Sequence, residues 1–350
     1  MGLVRWSRAL FLLALAAGCA NGTGGSDTGD ATTGRDLPDA AFEAVTPPVD
    51  VTIEARPEAS APFVDAGLES SDASGHEPEA PPEPQPFKVM SLNLRTGFAD
   101  DGADAWTPRK AIVTHLLQQE VPDLLGVQEG LIFQLKVVGE ALPDHDWVGT
   151  DRTGTGFDEY SAVFYDRLRF EQVASGTFWL SDTPDVVGSK FSEKQLFPRI
   201  VTWAHLRERA TGRELVHLNT HVDTTDEDHV PERSCALIAK KIAEIAGDVP
   251  AVLTGDFNTY TGDPAYQVLV GQATWEGTTG ALQDPWTELG LPVEGSFHGF
   301  DGVADDPRRI DWILHTPGLT ALEAVVSAYQ EGGHYPSDHF PVWARLVMAP

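Results

Sequence analysis

The sequence changes character at Phe87. Between residues 20 and 86, Gly, Ser, Thr, Asp, Glu, Ala and Pro dominate, aromatic residues are almost absent and no apolar period is sustained. Such a stretch buries too little surface to offset chain entropy, and it reads as a disordered tether. From Phe87 onward, aromatic and β-branched residues recur in short runs separated by Gly, Pro and Asp, the pattern of a globular α/β domain. Any fold is therefore built from residues 87–350, a length that supports one large core.

Within that span the apolar periods predict strands over 88–94, 123–127, 161–165, 170–178, 200–207, 215–219, 251–254, 310–315, 321–328 and 341–346. Helices are predicted over 106–119, 131–141, 231–246 and 263–269. Ile112, Val113, Leu116 and Leu117 give the first helix an apolar side, and Ala210-Thr211-Gly212 suits a hairpin turn between two strands. No internal repeat stands out. Two strand-rich halves, each with helices, imply an α/β sandwich of two packed sheets with outer helix layers.

The N-terminus carries a different message. Arg5 and Arg8 precede an apolar stretch at 9–17 that is well short of the roughly 20 residues a spanning helix needs, so residues 1–19 read as an export signal. Leu15-Ala16-Ala17-Gly18-Cys19 resembles a bacterial lipoprotein lipobox, which implies a lipid on Cys19. With Ala20 next rather than Asp, the resemblance implies delivery to the outer membrane or cell surface. Cys235 lies inside a helical pattern and reads as a buried structural thiol, so the fold stands without a disulfide.

Five blocks place polar residues at the ends of apolar strands, where a rigid edge projects side chains into a cleft. They are Met90-Ser91-Leu92-Asn93-Leu94-Arg95, Gly126-Val127-Gln128-Glu129, Asn219-Thr220-His221-Val222-Asp223, Gly255-Asp256-Phe257-Asn258, and Arg309-Ile310-Asp311-Trp312 paired with Ser337-Asp338-His339-Phe340-Pro341. Asn93 and Glu129 offer a neutral and an anionic hard oxygen, which suits Mg²⁺ or Mn²⁺. Asp256 follows the apolar Val252-Leu253 through Thr254-Gly255, which holds its carboxylate at a sheet edge. Asp311 with His339 follows the logic of an imidazole oriented by a buried carboxylate, which favours the imidazolium. No closely spaced Cys/His set supports structural zinc, and the Gly-rich segment at 22–29 falls in the tether, not before a helix. Nor is there the carboxylate spacing of a glycosidase.

In that order the blocks closely resemble the endonuclease/exonuclease/phosphatase superfamily, metal-dependent phosphoesterases that include pancreatic-type deoxyribonucleases, sphingomyelinases and inositol polyphosphate 5-phosphatases. The resemblance covers residues 87–348 and implies a four-layer α/β sandwich, two packed mixed sheets flanked by helices, with the site at the edge between them. It implies that Asn93, Glu129 and Asp338 hold the metal, and that Asp256 orients or deprotonates the attacking water. Asn258 would donate to water or a phosphate oxygen. A protonated His339, held by Asp311, would contact the scissile phosphate, with His221 doing the same from the other side. Trp106, Arg109-Lys110, Tyr160-Ser161-Ala162, Thr177-Phe178-Trp179-Leu180-Ser181 and Pro198-Arg199-Ile200-Val201-Thr202-Trp203 resemble a secreted bacterial branch, in which Arg199 and Glu159 line the substrate cleft.

Charge narrows the substrate. The chain carries a formal net charge of −29, and residues 87–350 alone hold 39 acidic against 20 basic side chains. That lacks the basic face of proteins that grip duplex DNA, so a small phosphoester or lipid head-group is the expected partner of a monomeric enzyme. A bound cation would reverse the local field, so the acidity does not exclude an anionic substrate. A catalytically inactive surface binding module on the same fold is the alternative.

Overall fold

The computed structural model describes residues 83–349; the export signal, Cys19 and the tether through residue 82 lie outside the described residues. The first half runs β1 (Phe87–Asn93), α1 (Trp106–Glu120), β2 (Leu124–Gly130), α2 (Ile132–Ala141), β3 (His145–Val148), β4 (Tyr160–Asp166) and β5 (Phe170–Trp179). The second runs β6 (Ile200–Glu208), β7 (Glu214–His221), α3 (Val230–Ala246), β8 (Ala251–Asp256), α4 (Pro264–Leu269), α5 (Pro285–Glu288), β9 (Asp311–His315), β10 (Leu319–Val326) and β11 (Val342–Met348). One sheet has six strands in the order β10-β11-β1-β2-β4-β3, the other five in the order β5-β6-β7-β8-β9.

Each sheet holds one parallel pair. β1 and β2 are parallel with α1 between them in sequence, and β7 and β8 are parallel with α3 between them. All other neighbouring pairs are antiparallel. The two halves thus share a strand–helix–strand plan that the sequence does not display as a repeat.

Three apolar clusters separate four layers. Met90, Leu92, Leu125 and Val127 pack with Leu116, Leu117 and Leu135 of α1 and α2. Val216, Leu218, Leu253 and Trp312 pack with Cys235, Ile238, Val268 and Leu269 of α3 and α4. Between the sheets lie Val89, Leu124, Leu215, Val252, Ile313 and Val342. Each such side chain contributes roughly 1.5–3 kcal/mol by leaving water. Cys235 is fully buried, as a structural thiol should be.

The two-residue period of a strand decides where the chemistry goes. Asn93 shares the face of Val89, Asp256 that of Val252, His221 that of Leu215 and Asp311 that of Ile313, all turned into the space between the sheets. The inter-sheet layer is apolar at one end and polar at the other. The strands β2, β7 and β8 run two or three residues beyond the apolar spans expected from sequence, because their polar ends continue the ladder into the site. β3 and α5 were not expected from sequence: each has only four residues, too few to show a period.

Candidate active site

Beneath the site, a buried polar seam joins the sheets. Asn219 donates to the carbonyls of Val127 and Ala162, both at 2.9 Å, and accepts from Gln128 Nε2 at 2.6 Å. Gln128 also donates to Ser91 Oγ, and Thr254 Oγ1 lies 3.0 Å from Asn219 Oδ1. His217 Nε2 stands 2.9 Å from Thr254 Oγ1. Gly126 faces this seam, and a Cβ there would collide with Thr254 and Asn219. The absence of a side chain at Gly126 is what lets the sheets close over the polar groups.

Above the seam, His221, Asp256 and Asp311 sit side by side on β7, β8 and β9, in register. Asn93 approaches from the other sheet and donates through one amide nitrogen to Asp256 Oδ2 at 2.9 Å and Glu129 Oε1 at 3.0 Å. Glu129 would face the α1 side if β2 alternated regularly. Its left-handed backbone (φ 56°), beside a register shift between Val127 and Gly130, re-aims it into the cleft. That conformation costs a non-glycine residue about 1 kcal/mol. Glu129 Oε2 accepts from the Thr96 amide at 2.8 Å.

Asn258 also adopts a left-handed backbone, φ 49°, in a turn where Asp256 Oδ1 accepts from the Asn258 amide at 3.0 Å. Its Nδ2 donates to Val222 O at 2.9 Å, which fixes the orientation of the side-chain amide. The same Nδ2 is 2.9 Å from His221 Nε2, so that ring nitrogen is the acceptor. Burial, then Arg199, Arg152 and His339, push His221 well below the usual histidine range. The sequence led us to expect a positive charge on both histidines; the environment of His221 holds it neutral instead.

His339 is the opposite case. Its Nδ1 lies 2.9 Å from Asp311 Oδ2 and its Nε2 3.7 Å from Asp256 Oδ2. Burial opposes charge on the ring, but Asp311 and then Asp256 outweigh it and raise its pKa well above the ordinary value. Ser296 Oγ accepts from the amides of Ile310 and Asp311 and so anchors the start of β9, a role that no sequence signal announced.

The donor set suits a hard divalent cation. The ligand atoms of Glu129, His221 and Asp256 lie within 4.8 Å of one another, as do those of Asp256, Asp311 and His339. Burial raises the Asp256 pKa even against the pull of His339, and a cation bound nearby would favour its ionised form. Asp338 belongs to neither group. Ser337 Oγ donates to it at 3.1 Å, and Arg95 Nε lies 3.6 Å away. Burial raises Asp338 too.

Beside Glu129 and His221 the cleft deepens into a pocket lined by Arg152, Glu159 and Arg199. Arg199 and Glu159, expected from sequence to line the substrate cleft, both border this pocket. Arg152 was missed: it lies in the irregular stretch between β3 and β4, where no period points to a role.

A family model described as the endonuclease/exonuclease/phosphatase family matches residues 90–339. An endonuclease/exonuclease/phosphatase family protein from Bacteroides thetaiotaomicron is 33% identical, with a TM-score of 0.68 over 77% of this chain and all of that one. A mannosyl-6-phosphatase from the same organism is 32% identical, with a TM-score of 0.66 over 75% of this chain and all of that one. Nocturnin from Drosophila melanogaster is 22% identical, the match covering 77% of this chain and 48% of that protein, so the chain spans about half the length of this relative.

Proposed function

Since the chain belongs to the endonuclease/exonuclease/phosphatase family, whose members are phosphoester hydrolases, we propose that it is a divalent-metal-dependent phosphoester hydrolase working outside the cytoplasm. The observation that carries this reading is the convergence of Asn93 and Glu129 from one sheet on Asp256 from the other, with the Asp311–His339 pair alongside.

A Mg²⁺ or Mn²⁺ ion held by Glu129 and Asn93, with Asp338 nearby, would supply charge neutralisation of the phosphate oxygens. The chain's own residues do the rest. Asp256 orients the attacking water and takes its proton, held in place by the Asn93 side chain and the Asn258 amide. His339, kept positive by Asp311, places a charged donor at the phosphate. Neutral His221 accepts from Asn258 at Nε2, which also lies 3.5 Å from Asp256 Oδ2. Arg199 and Glu159 meet the remainder of the substrate.

The domain's acidity favours a small phosphoester or lipid head-group over duplex DNA. The mannosyl-6-phosphatase among its relatives supports a monoester. Export and anchoring through a lipid on Cys19 rest on the N-terminal sequence, and mass spectrometry of the mature N-terminus tests them: an unmodified residue other than Cys19 rejects the anchor. The enzymatic reading is tested by assaying the full chain on monoester and diester substrates with Mg²⁺ or Mn²⁺, then with chelator. Inactivity across that panel would favour the binding-module alternative.

A further inference from the structure

Asp311 and His339 form a pair 2.9 Å apart, yet they come from different sheets: Asp311 opens β9, at the edge of the five-stranded sheet, and His339 lies just before β11 of the other. An edge strand has a neighbour on one side only. The far end of β9 gains a second partner through the His315–Gln283 bridge. At the Asp311 end, that place is taken by a side chain, Ser296.

Ser296 is fully buried and bonded to both halves of the pair. Its Oγ accepts from the amides of Ile310 and Asp311, each at 3.1 Å, while its carbonyl accepts from the Phe340 amide at 2.7 Å. The next residues strengthen the second tie. The amides of His298 and Gly299 donate to Asp338 O at 2.9 and 3.1 Å, and the His298 ring stacks on Phe340 with centroids 4.0 Å apart. Phe297 meets the His339 ring edge to face at 5.0 Å. Gly295 lets the segment press against the Asp306 carbonyl, where a Cβ would collide.

Residues 296–299 are therefore fastened to the backbone around His339, and Ser296 Oγ carries that placement across to Asp311. Removing this oxygen would leave two buried amides without an acceptor, a cost that the start of β9 relieves by moving. Movement there shifts the carboxylate that holds the imidazole. A misplacement of about 1 Å at a reacting group can lower a rate about 10²-fold.

We propose that Ser296 is a positioning residue of the hydrolytic site, acting through Asp311 to hold that carboxylate against His339. The proposal rests on the phosphoester hydrolase reading.

The test measures kcat and KM of the full chain with Mg²⁺ or Mn²⁺ on phenyl phosphate and bis(4-nitrophenyl) phosphate, for the native protein, Ser296→Ala, Ser296→Thr, Asp311→Asn and the double variant Ser296→Ala/Asp311→Asn. Ser296→Ala should lower kcat roughly 10- to 100-fold. KM should stay within about twofold, because Ser296 does not touch the substrate. Ser296→Thr, which keeps the acceptor, should stay within about threefold of native. In the Asp311→Asn background Ser296→Ala should cost less than about threefold, since the group through which it acts is already gone. Crystal structures supply a readout that does not depend on turnover. The Asp311 Oδ2–His339 Nδ1 distance should exceed about 3.5 Å in Ser296→Ala and keep hydrogen-bond length in Ser296→Thr. An unchanged distance in Ser296→Ala, a native kcat for it, a loss in Ser296→Thr as large as in Ser296→Ala, or the full loss repeated in the double variant would overturn the proposal and leave the hydrolase reading standing. Turnover of neither substrate by the native protein would overturn both.

Discussion

Gln128 Nε2 lies 2.6 Å from Asn219 Oδ1, a bond between the two sheets placed one residue from Glu129 and two from His221. The half-sites on the two sheets are therefore held at a fixed separation by polar groups, where apolar packing alone would tolerate sliding.

Replacing Asn219 with Leu removes that joint. The carbonyls of Val127 and Ala162 would lose the Asn219 amide, and the Gln128 amide would keep only Ser91 Oγ of its two partners. We expect a loss on the order of 3–5 kcal/mol in urea unfolding, from roughly 1–3 kcal/mol for each unpaired group. A loss below about 1 kcal/mol would show that the seam does not hold the sheets.

His217 predicts an acid-side slope. Burial pushes its pKa from 6.5 down to about 3, so the folded chain keeps it neutral. Below the unfolded value the unfolded chain binds a proton that the folded chain refuses, so stability falls as pH drops from about 6.5 toward 3 and is flat above. Between pH 7 and pH 5 this one group should cost about 2 kcal/mol. His217→Gln, which has no titrating group, should flatten the decline by that amount in parallel urea titrations at the two pH values; an unchanged decline would contradict the assignment.

Arg109 holds two loops of the site together. Its guanidinium donates to Leu94 O at 2.9 Å, Arg95 O at 3.3 Å and Pro336 O at 2.6 Å, and also to Asp104 O. Those carbonyls flank Asn93 on one side and Asp338 and His339 on the other. Lysine keeps the charge but cannot span the four acceptors. Arg109→Lys should therefore cost about 2 kcal/mol in unfolding experiments, the loss of one or two bonds made by a charged donor. Native stability would show that charge alone suffices.

Asp311→Asn tests the source of the charge on His339. Asp311 is the largest influence holding that imidazole protonated. Without the carboxylate the imidazole loses its proton at lower pH, so the alkaline limb of the rate profile should move toward acid, and kcat should fall roughly 10²–10⁴-fold, as for loss of one acid–base partner. A profile superimposable on the native one would remove Asp311 from the mechanism.

Much of this arrangement was legible because strand parity is strict: polar residues that end an apolar strand on its inward face must enter the inter-sheet space. That logic reached Asn93, Asp256 and Asp311. It failed for Glu129, whose direction depends on a left-handed backbone and a register shift that no period encodes. Asp338 was expected beside Asn93 and Glu129 on the metal; its carboxylate feels the charges of His339 and Glu129, and Arg95 Nε lies 3.6 Å away. The charge state of His221 was misjudged because it is set by burial, by arginines distant in sequence and by the Asn258 amide. Arg152 and Ser296 escaped notice because both act from irregular segments.

The central claim is that the edge between the sheets is a metal-dependent phosphoester-hydrolysing site centred on Asp256 and His339. Its most direct measurement is the turnover of a phosphoester by the full chain with Mg²⁺ or Mn²⁺, compared with Asp256→Ala and His339→Ala, with circular dichroism confirming the fold of each. The account predicts chelator-sensitive turnover in the native protein and a loss of at least about 10³-fold in both variants at native secondary structure. Near-native rates in both variants would contradict it.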